Sequence, residues 1–337
     1  MHSLPTEVQL DVLICLNFNQ LFSFKLTNFY FYNLIKKYEG GLARMKFNSF
    51  TFINGNPRLI LYEIIDLKSG VFELTLNNQI KNKWQAAIDR SIPLFLNKFK
   101  PERTFVCISK VDTKIKSLLL KLPNCPRNIE EMIIARCWLE HLFNCVFVGA
   151  YISSTIFNPE IINILFDNDK TIPLRFNCQS LLMIAHNNIF ENVLKFVSNH
   201  LTISKLFNIS FCDVFNTEQH RNILFNILIN EGNKILQIRL QNSNLSRLYD
   251  SIIKYITTSK DCSKMVPHII FYFSSDSSHF NFSERAEKIE IVQLDNKTHT
   301  KYQISNIYNP KVKFALCNEE WNWGINSCIY IKKCNVE

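Results

Sequence analysis

Glycine is scarce in this chain, with seven residues among 337, and only Gly40 and Gly41 adjoin. Loops that cradle phosphate need several closely spaced glycines so that backbone N–H groups can approach the anion. Neither G-x-G-x-x-G nor G-x-x-x-x-G-K-S/T occurs, which makes nucleotide-dependent enzymes poor candidates. No G-x-S-x-G or H-E-x-x-H is present to set a base beside a nucleophile or a metal, and the eight histidines are dispersed. Long hydrophobic runs are also missing. The longest uncharged apolar stretch, 142–157, falls short of the roughly 20 residues that cross a bilayer and contains Asn144, Ser153 and Ser154. No membrane span is expected.

The eleven cysteines are odd in number and form no C-x-x-C pair. The N-terminal apolar stretch lacks a charged leader and is interrupted by Glu7 and Asp11, so no signal peptide is expected. Reduced thiols in the cytoplasm or nucleus fit this pattern.

What is present is core material. Hydrophobic residues make up 47% of the chain and aromatics 13%, enough to exclude disorder over most of its length. The net charge of +9 arises from 38 Lys and Arg against 29 acids that are scattered rather than gathered into a run. A basic soluble surface, without a nucleic-acid footprint, is expected.

Chain chemistry changes along the sequence. Leu4-Pro5-Thr6-Glu7 is a helix start, because proline is welcome in a first turn and an acid there favours the helix dipole. Val8, Leu10, Val12, Leu13 and Leu16 follow at helical spacing, and Asn17-Phe18-Asn19 reads as a break. Leu21, Phe22 and Phe24 continue the pattern, a third helix carries Leu26, Phe29, Tyr30, Leu34 and Ile35, and Gly40-Gly41 is a stop. Three short helices cannot bury much of their own apolar surface, so this segment calls for a partner.

The apolar and Leu-Pro positions Leu4, Pro5, Glu7, Val8, Val12, Leu13, Leu16, Leu21, Leu34 and Ile35, with Phe31 where Trp or Phe is usual, resemble an F-box. The departures are Gln20, Thr27, Asn28, Phe29 and Tyr30. The resemblance implies a helical surface that docks a Skp1-like adaptor and, through it, a cullin. The Skp1-binding residues it implies are Leu4, Pro5, Val8, Val12, Leu13, Leu16, Leu21, Phe24, Phe31, Leu34 and Ile35.

Beyond residue 47 the texture becomes α/β. Residues 50–54 and 72–76 alternate as strands, with turns at 54–57 and 68–70. A helix is predicted over 83–99, with Pro93 kinking or restarting it, and another over 128–142. A weak repeat of apolar positions then recurs, with equivalent sites at Cys145, Leu174, Ile209, Ile238 and Ile269, spaced by 29, 35, 29 and 31 residues. Helices are predicted between them at 159–166, 190–199, 219–229 and 248–257. One strand and one helix per period points to an irregular leucine-rich-repeat-like solenoid. Strands are predicted at 288–294, 312–316 and 327–332, and Trp321 and Trp323 read as part of a solenoid cap.

The expected fold is thus α/β: an F-box-like three-helix segment over 1–46, a linking α/β region over 47–127, and a leucine-rich-repeat-like region over 128–337. Lys83-Trp-Gln-Ala-Ala-Ile, 136–145, Phe157-Asn-Pro-Glu and 258–265 are similar to the body of the expanded F-box families of parasitic nematodes, which implies that this body selects a protein substrate.

Candidate chemistry is thin. Cys137, His141 and Cys145 stand at i, i+4 and i+8, but the outer two would lie about 12 Å apart along a helix, too far to share one ion. Cys125 has no basic cluster to activate it. Glu130-Glu131 and Glu319-Glu320 diverge as neighbours on a helix or strand. No catalytic residue, metal ligand or cofactor is expected. The expected role is that of a non-catalytic substrate adaptor of a Skp1-cullin-F-box ubiquitin ligase, the alternative being a protein-interaction scaffold unconnected with ubiquitin.

Overall fold

In a computed structural model the described residues are 4–334, apart from 39–40, 56, 58–60, 71–75, 98–102, 111–116, 168–173, 187–189, 212–217, 242–244, 274–283, 295 and 322–326. The helices and strands establish a mixed α/β fold. They divide between two compact units. One comprises Met1–Leu94, Glu102–Val148 and Glu160–Asn177; the other comprises Phe95–Pro101, Gly149–Pro159 and Cys178–Glu337. The boundaries read from sequence at 46/47 and 127/128 do not coincide with this division, because the chain passes between the units several times.

The first unit begins with α1 (Thr6–Ile14), α2 (Phe18–Lys25) and α3 (Phe29–Tyr38). Strand β1 (Met45–Asn54) follows, then β2 (Tyr62–Ile64), a 3-10 turn at Leu67–Gly70 and α4 (Asn78–Asp89). The strand expected at 72–76 falls almost wholly on residues 71–75, outside the described residues. The helix expected over 83–99 starts earlier and stops earlier. Asn77 accepts from the Ile80 N–H at 2.8 Å and caps its start, while Ser91 adopts φ +51° just past its end. Pro93 lies beyond the helix rather than kinking it, since the residue before a proline is disfavoured in the helical region. The chain is extended again at β3 (Phe95–Asn97), which belongs to the second unit.

Strands β4 (Thr104–Lys110) and β5 (Ser117–Leu120) complete the order β1–β4–β5–β2 in the first unit. β1/β4 and β4/β5 are antiparallel, and β5/β2 is parallel. Helix α5 (Ile129–Phe143) starts on Asn128, whose side chain accepts from the Glu131 N–H at 2.9 Å. After it come β6 (Cys145–Ile152), β7 (Thr155–Phe157) and α6 (Pro159–Phe166). Aromatic rings fill this unit: Phe50 lies 5.2 Å from Phe147 and 5.4 Å from Phe176, and Phe143 lies 4.7 Å from Phe176. The Trp84 indole N–H reaches the Ile164 carbonyl at 3.0 Å, so this large ring is buried without leaving its donor unmet.

The second unit continues with β8 (Phe176–Ala185), α7 (Phe190–His200), β9 (Leu201–Phe211), α8 (Glu218–Asn230), β10 (Gln237–Gln241), α9 (Ser246–Thr258) and β11 (His268–Phe273). The tail adds β12 (Glu287–Leu294), β13 (Lys297–Ser305), β14 (Lys313–Trp321) and β15 (Ser327–Lys333). Strand order is β12–β13–β14–β15–β11–β10–β9–β8. β9/β10 and β10/β11 are parallel, whereas β11/β15, β15/β14, β14/β13 and β13/β12 are antiparallel.

The expected solenoid over 128–337 is therefore replaced by a mixed sheet. Strand and helix alternate as far as β11, but its other neighbour is β15, and the tail closes as an antiparallel meander with no helix among the described residues between its strands. Period-2 alternation sets the two faces. Ile238, Leu240, Ile269, Phe271, Ile329, Ile331, Phe314 and Leu316 are buried on one side. Helix α9 packs there, with Tyr249 Oη 3.1 Å from Tyr302 Oη and its ring edge-on to Phe271. Strand β13 escaped the sequence reading because its polar start, Lys-Thr-His-Thr-Lys, buries only Thr300, leaving Tyr302 and Ile304 as the strand's buried apolar residues.

Candidate functional site

The three N-terminal helices, part of the first unit, gather into a small body around a shared apolar cluster. Pro5 precedes α1, and Glu7 lies in its first turn. Helix α2 opens on a capping box: the Asn17 side chain accepts from the Gln20 N–H at 3.0 Å, and the Gln20 side chain accepts from the Asn17 N–H at 2.9 Å. Asn28 accepts from the Phe31 N–H at 3.0 Å at the start of α3, and the Thr27 hydroxyl donates to the Phe24 carbonyl at 2.7 Å. Gln20, Thr27 and Asn28 all depart from the F-box pattern. Each satisfies a backbone group at a helix end, where such groups lack intrahelical partners.

Within this body Leu13, Leu21, Phe31, Leu34, Ile35 and Leu42 form the buried cluster, with Leu10, Leu16, Phe24 and Tyr38 packed against it. Phe24 and Phe31 meet at 4.3 Å between ring centroids. Gln9 is buried and donates to the Leu4 carbonyl at 2.7 Å.

The residues expected to meet a partner separate into three groups. Leu13, Leu21, Phe31, Leu34 and Ile35 are buried in the helical core, so in this conformation they shape the surface without belonging to it. Leu16 and Phe24 are half-buried. Leu4, Pro5, Val8 and Val12 are exposed, and they are joined by residues the sequence reading did not select: Ile14 at 60% exposure, Phe22 at 53%, Leu26 at 70% and Phe29 at 78%. The apolar excess over a single helical stripe was their signal in the sequence. Ile14 also lines a shallow groove of about 330 Å³, with Leu10, Lys37, Tyr38, Gly41 and Leu42.

Elsewhere the polar chemistry is dispersed. On α5, Cys137 is buried, while Cys145 beyond the helix donates its thiol to the His141 carbonyl at 3.2 Å. Burial pushes the Cys145 thiol up to about 12, making it a poor nucleophile. The Cys125 thiol points to the Ile92 carbonyl at 3.8 Å. A groove of about 660 Å³ between α7 and α8 carries Glu191 and Lys195, paired at 2.7 Å. Hydrogen bonding and charge from Lys195 hold the Glu191 carboxyl below the usual carboxylate range. Among its described lining residues no nucleophile, base and acid converge.

Among the described residues one cluster does converge, and no spacing rule announced it. His299 on β13 pairs with Glu319 on β14, and Cys317 lies two residues earlier on the same face. The His299 Nδ1 to Glu319 Oε1 distance is 3.5 Å. The Lys297 ammonium lies 3.5 Å from Glu319 Oε2 and 4.1 Å from the Trp321 ring centroid. Trp321, expected as part of a cap, thus stands in the meander with an exposed ring held against a lysine.

No helix among the described residues is long and apolar enough to cross a membrane. The sequence profile of a domain of unknown function, DUF8381, matches residues 65–212, which span α4 to β9. No curated protein matches the chain. Among solved structures, an S-adenosylmethionine-dependent methyltransferase from Clostridium acetobutylicum is 10% identical over 61% of this chain and 74% of its own, with a TM-score of 0.14, too low to carry an argument about fold or activity.

Proposed function

We propose that the protein is a substrate-recognition adaptor of a Skp1-cullin-F-box ubiquitin ligase. Helices α1–α3 act as the F-box that docks a Skp1-like adaptor, and the α/β remainder captures a protein target. The observation that carries this reading is the exposed apolar surface of Leu4, Val8, Val12, Ile14, Phe22, Leu26 and Phe29 on a small helical body whose core is already filled. Exposed apolar surface is costly in water, and where it is extensive it marks a protein-binding site. The F-box-like pattern of the same segment favours a Skp1-like partner over any other. Catalysis would then reside in the partner enzymes, and this chain would act by raising the effective concentration of a target beside them.

Co-purification with Skp1 tests the proposal. The full chain should retain Skp1, and Leu4→Ala with Pro5→Ala, or Leu26→Ser with Phe29→Ser, should reduce the recovered complex at least tenfold. Failure of the unaltered chain to bind, or binding unchanged by both double substitutions, would sink it and leave an interaction scaffold unconnected with ubiquitin.

A further inference from the structure

The geometry points to a divalent transition-metal site on the β13/β14 ladder, with His299, Cys317 and Glu319 as ligands and zinc as the ion their chemistry suits best. It does not rest on the proposed partner docking of α1–α3.

The His299 nitrogen, the Cys317 sulfur and a Glu319 carboxylate oxygen all lie within 4.8 Å of one another. Around one tetrahedral ion, with bonds of about 2.0–2.3 Å, donors stand roughly 3.3–3.8 Å apart. His299 Nδ1 and Glu319 Oε1, at 3.5 Å, already meet that spacing, so an ion would need at most about an ångström of side-chain adjustment elsewhere in the set. One imidazole, one thiolate and one carboxylate form a borderline-soft set, which selects zinc, cobalt or nickel over magnesium or calcium.

The backbone favours the arrangement because β13 and β14 pair without interruption from Lys297↔Trp321 to Ser305↔Lys313. Ligands on paired strands move little, which is what a metal site requires of its support. The outer groups also fit. Glu319 Oε2 accepts from the Tyr330 hydroxyl at 3.4 Å and faces Lys297, so Oε1 is the oxygen turned to His299. A ligating carboxylate held through its other oxygen is the usual supporting arrangement. The His299 and Glu319 side chains are 15% and 18% exposed, open enough for an ion to enter and for water to complete its coordination. A His299–Glu319 ion pair alone would account for two of the three groups, but it gives no reason for a thiol at the same point.

The experiment is a cobalt titration of the full chain, stripped of metal and kept reduced. One Co²⁺ per chain should bind, with a thiolate-to-cobalt charge-transfer band and the intense visible absorption of a tetrahedral ion. Cys317→Ser should abolish the charge-transfer band, and His299→Ala and Glu319→Gln should each weaken binding at least tenfold. Zinc should displace cobalt and raise the melting temperature of the unaltered chain by mass action while leaving that of His299→Ala unchanged. Metal-free melting temperatures of the variants establish that they fold, and His299→Ala serves if Cys317→Ser does not. Absence of the tetrahedral spectrum, or a spectrum unchanged by both His299→Ala and Glu319→Gln, would overturn the assignment.

Discussion

The Tyr30 hydroxyl donates to Gln9 Oε1 at 2.8 Å, joining the third N-terminal helix to the first through a buried amide. Tyr30 occupies a position that is often basic in the F-box pattern. In this chain its hydroxyl meets a polar group that the helical core would otherwise leave without that donor.

Tyr30→Phe should therefore destabilise the N-terminal helices although it removes one oxygen atom. Leaving the Gln9 acceptor short of a partner costs about 1–3 kcal/mol. Amide hydrogen exchange in residues 6–38 should quicken selectively. Exchange unchanged in α1 and α3 would show that this bond does not hold them.

Exposure separates two classes of apolar substitution in the same segment. Leu13→Ala removes a fully buried side chain and should cost about 2–5 kcal/mol, visible in denaturant unfolding. Leu26→Ser with Phe29→Ser alters exposed residues and should shift stability by no more than about 1 kcal/mol while reducing Skp1 capture at least tenfold. Equal loss of stability in both variants would contradict this division.

Gly232 lies after α8, where its N–H donates to the Lys264 carbonyl at 2.8 Å. A Cβ at this position would stand 2.2 Å from the Met265 carbonyl oxygen, and backbone cannot yield as a flexible side chain does. Gly232→Ala should cost about 3 kcal/mol or more and lower the melting temperature sharply. A melting temperature equal to that of the unaltered chain would mean that residues 262–266 can move aside.

Acid should weaken the second unit before its carboxylates titrate. His220 packs edge-on to Phe190 at 4.6 Å, and burial pushes its pKa below the ordinary 6.5 despite nearby Glu191. His268 is lowered by burial and then by Lys332. Because the folded state takes up these protons less readily than the unfolded chain, their contribution is complete above pH 6.5 and is lost as pH falls through the depressed folded values. The lowered Glu191 carboxyl acts in a separate, more acidic window. Melting temperature should thus fall as the pH drops below 6.5, and His220→Gln with His268→Gln should flatten that decline. An identical slope in the double variant would count against the two imidazoles.

The sequence alone determined most of the local structure. Helix α6 begins and ends where predicted, and α5, α7, α8 and α9 differ by at most two residues at either end. Apolar spacing is a local property, as is an N-cap such as Asn128. Of the recurring positions, Cys145, Ile209, Ile238 and Ile269 fall within β6, β9, β10 and β11 for the same reason, whereas Leu174 falls two residues before β8.

Only the tertiary structure decided what those elements meet. That β11 pairs with β15, ending the parallel run, depends on how a distant segment returns to the sheet. Strand register brings His299 opposite Glu319, and residues twenty positions apart carry no periodic sign of such a meeting. In α1–α3 the apolar residues were evident, but Leu13 turns inward and Phe29 outward. Hydrophobicity is the same property in both, and only the packing of three helices against one another selects which side is filled.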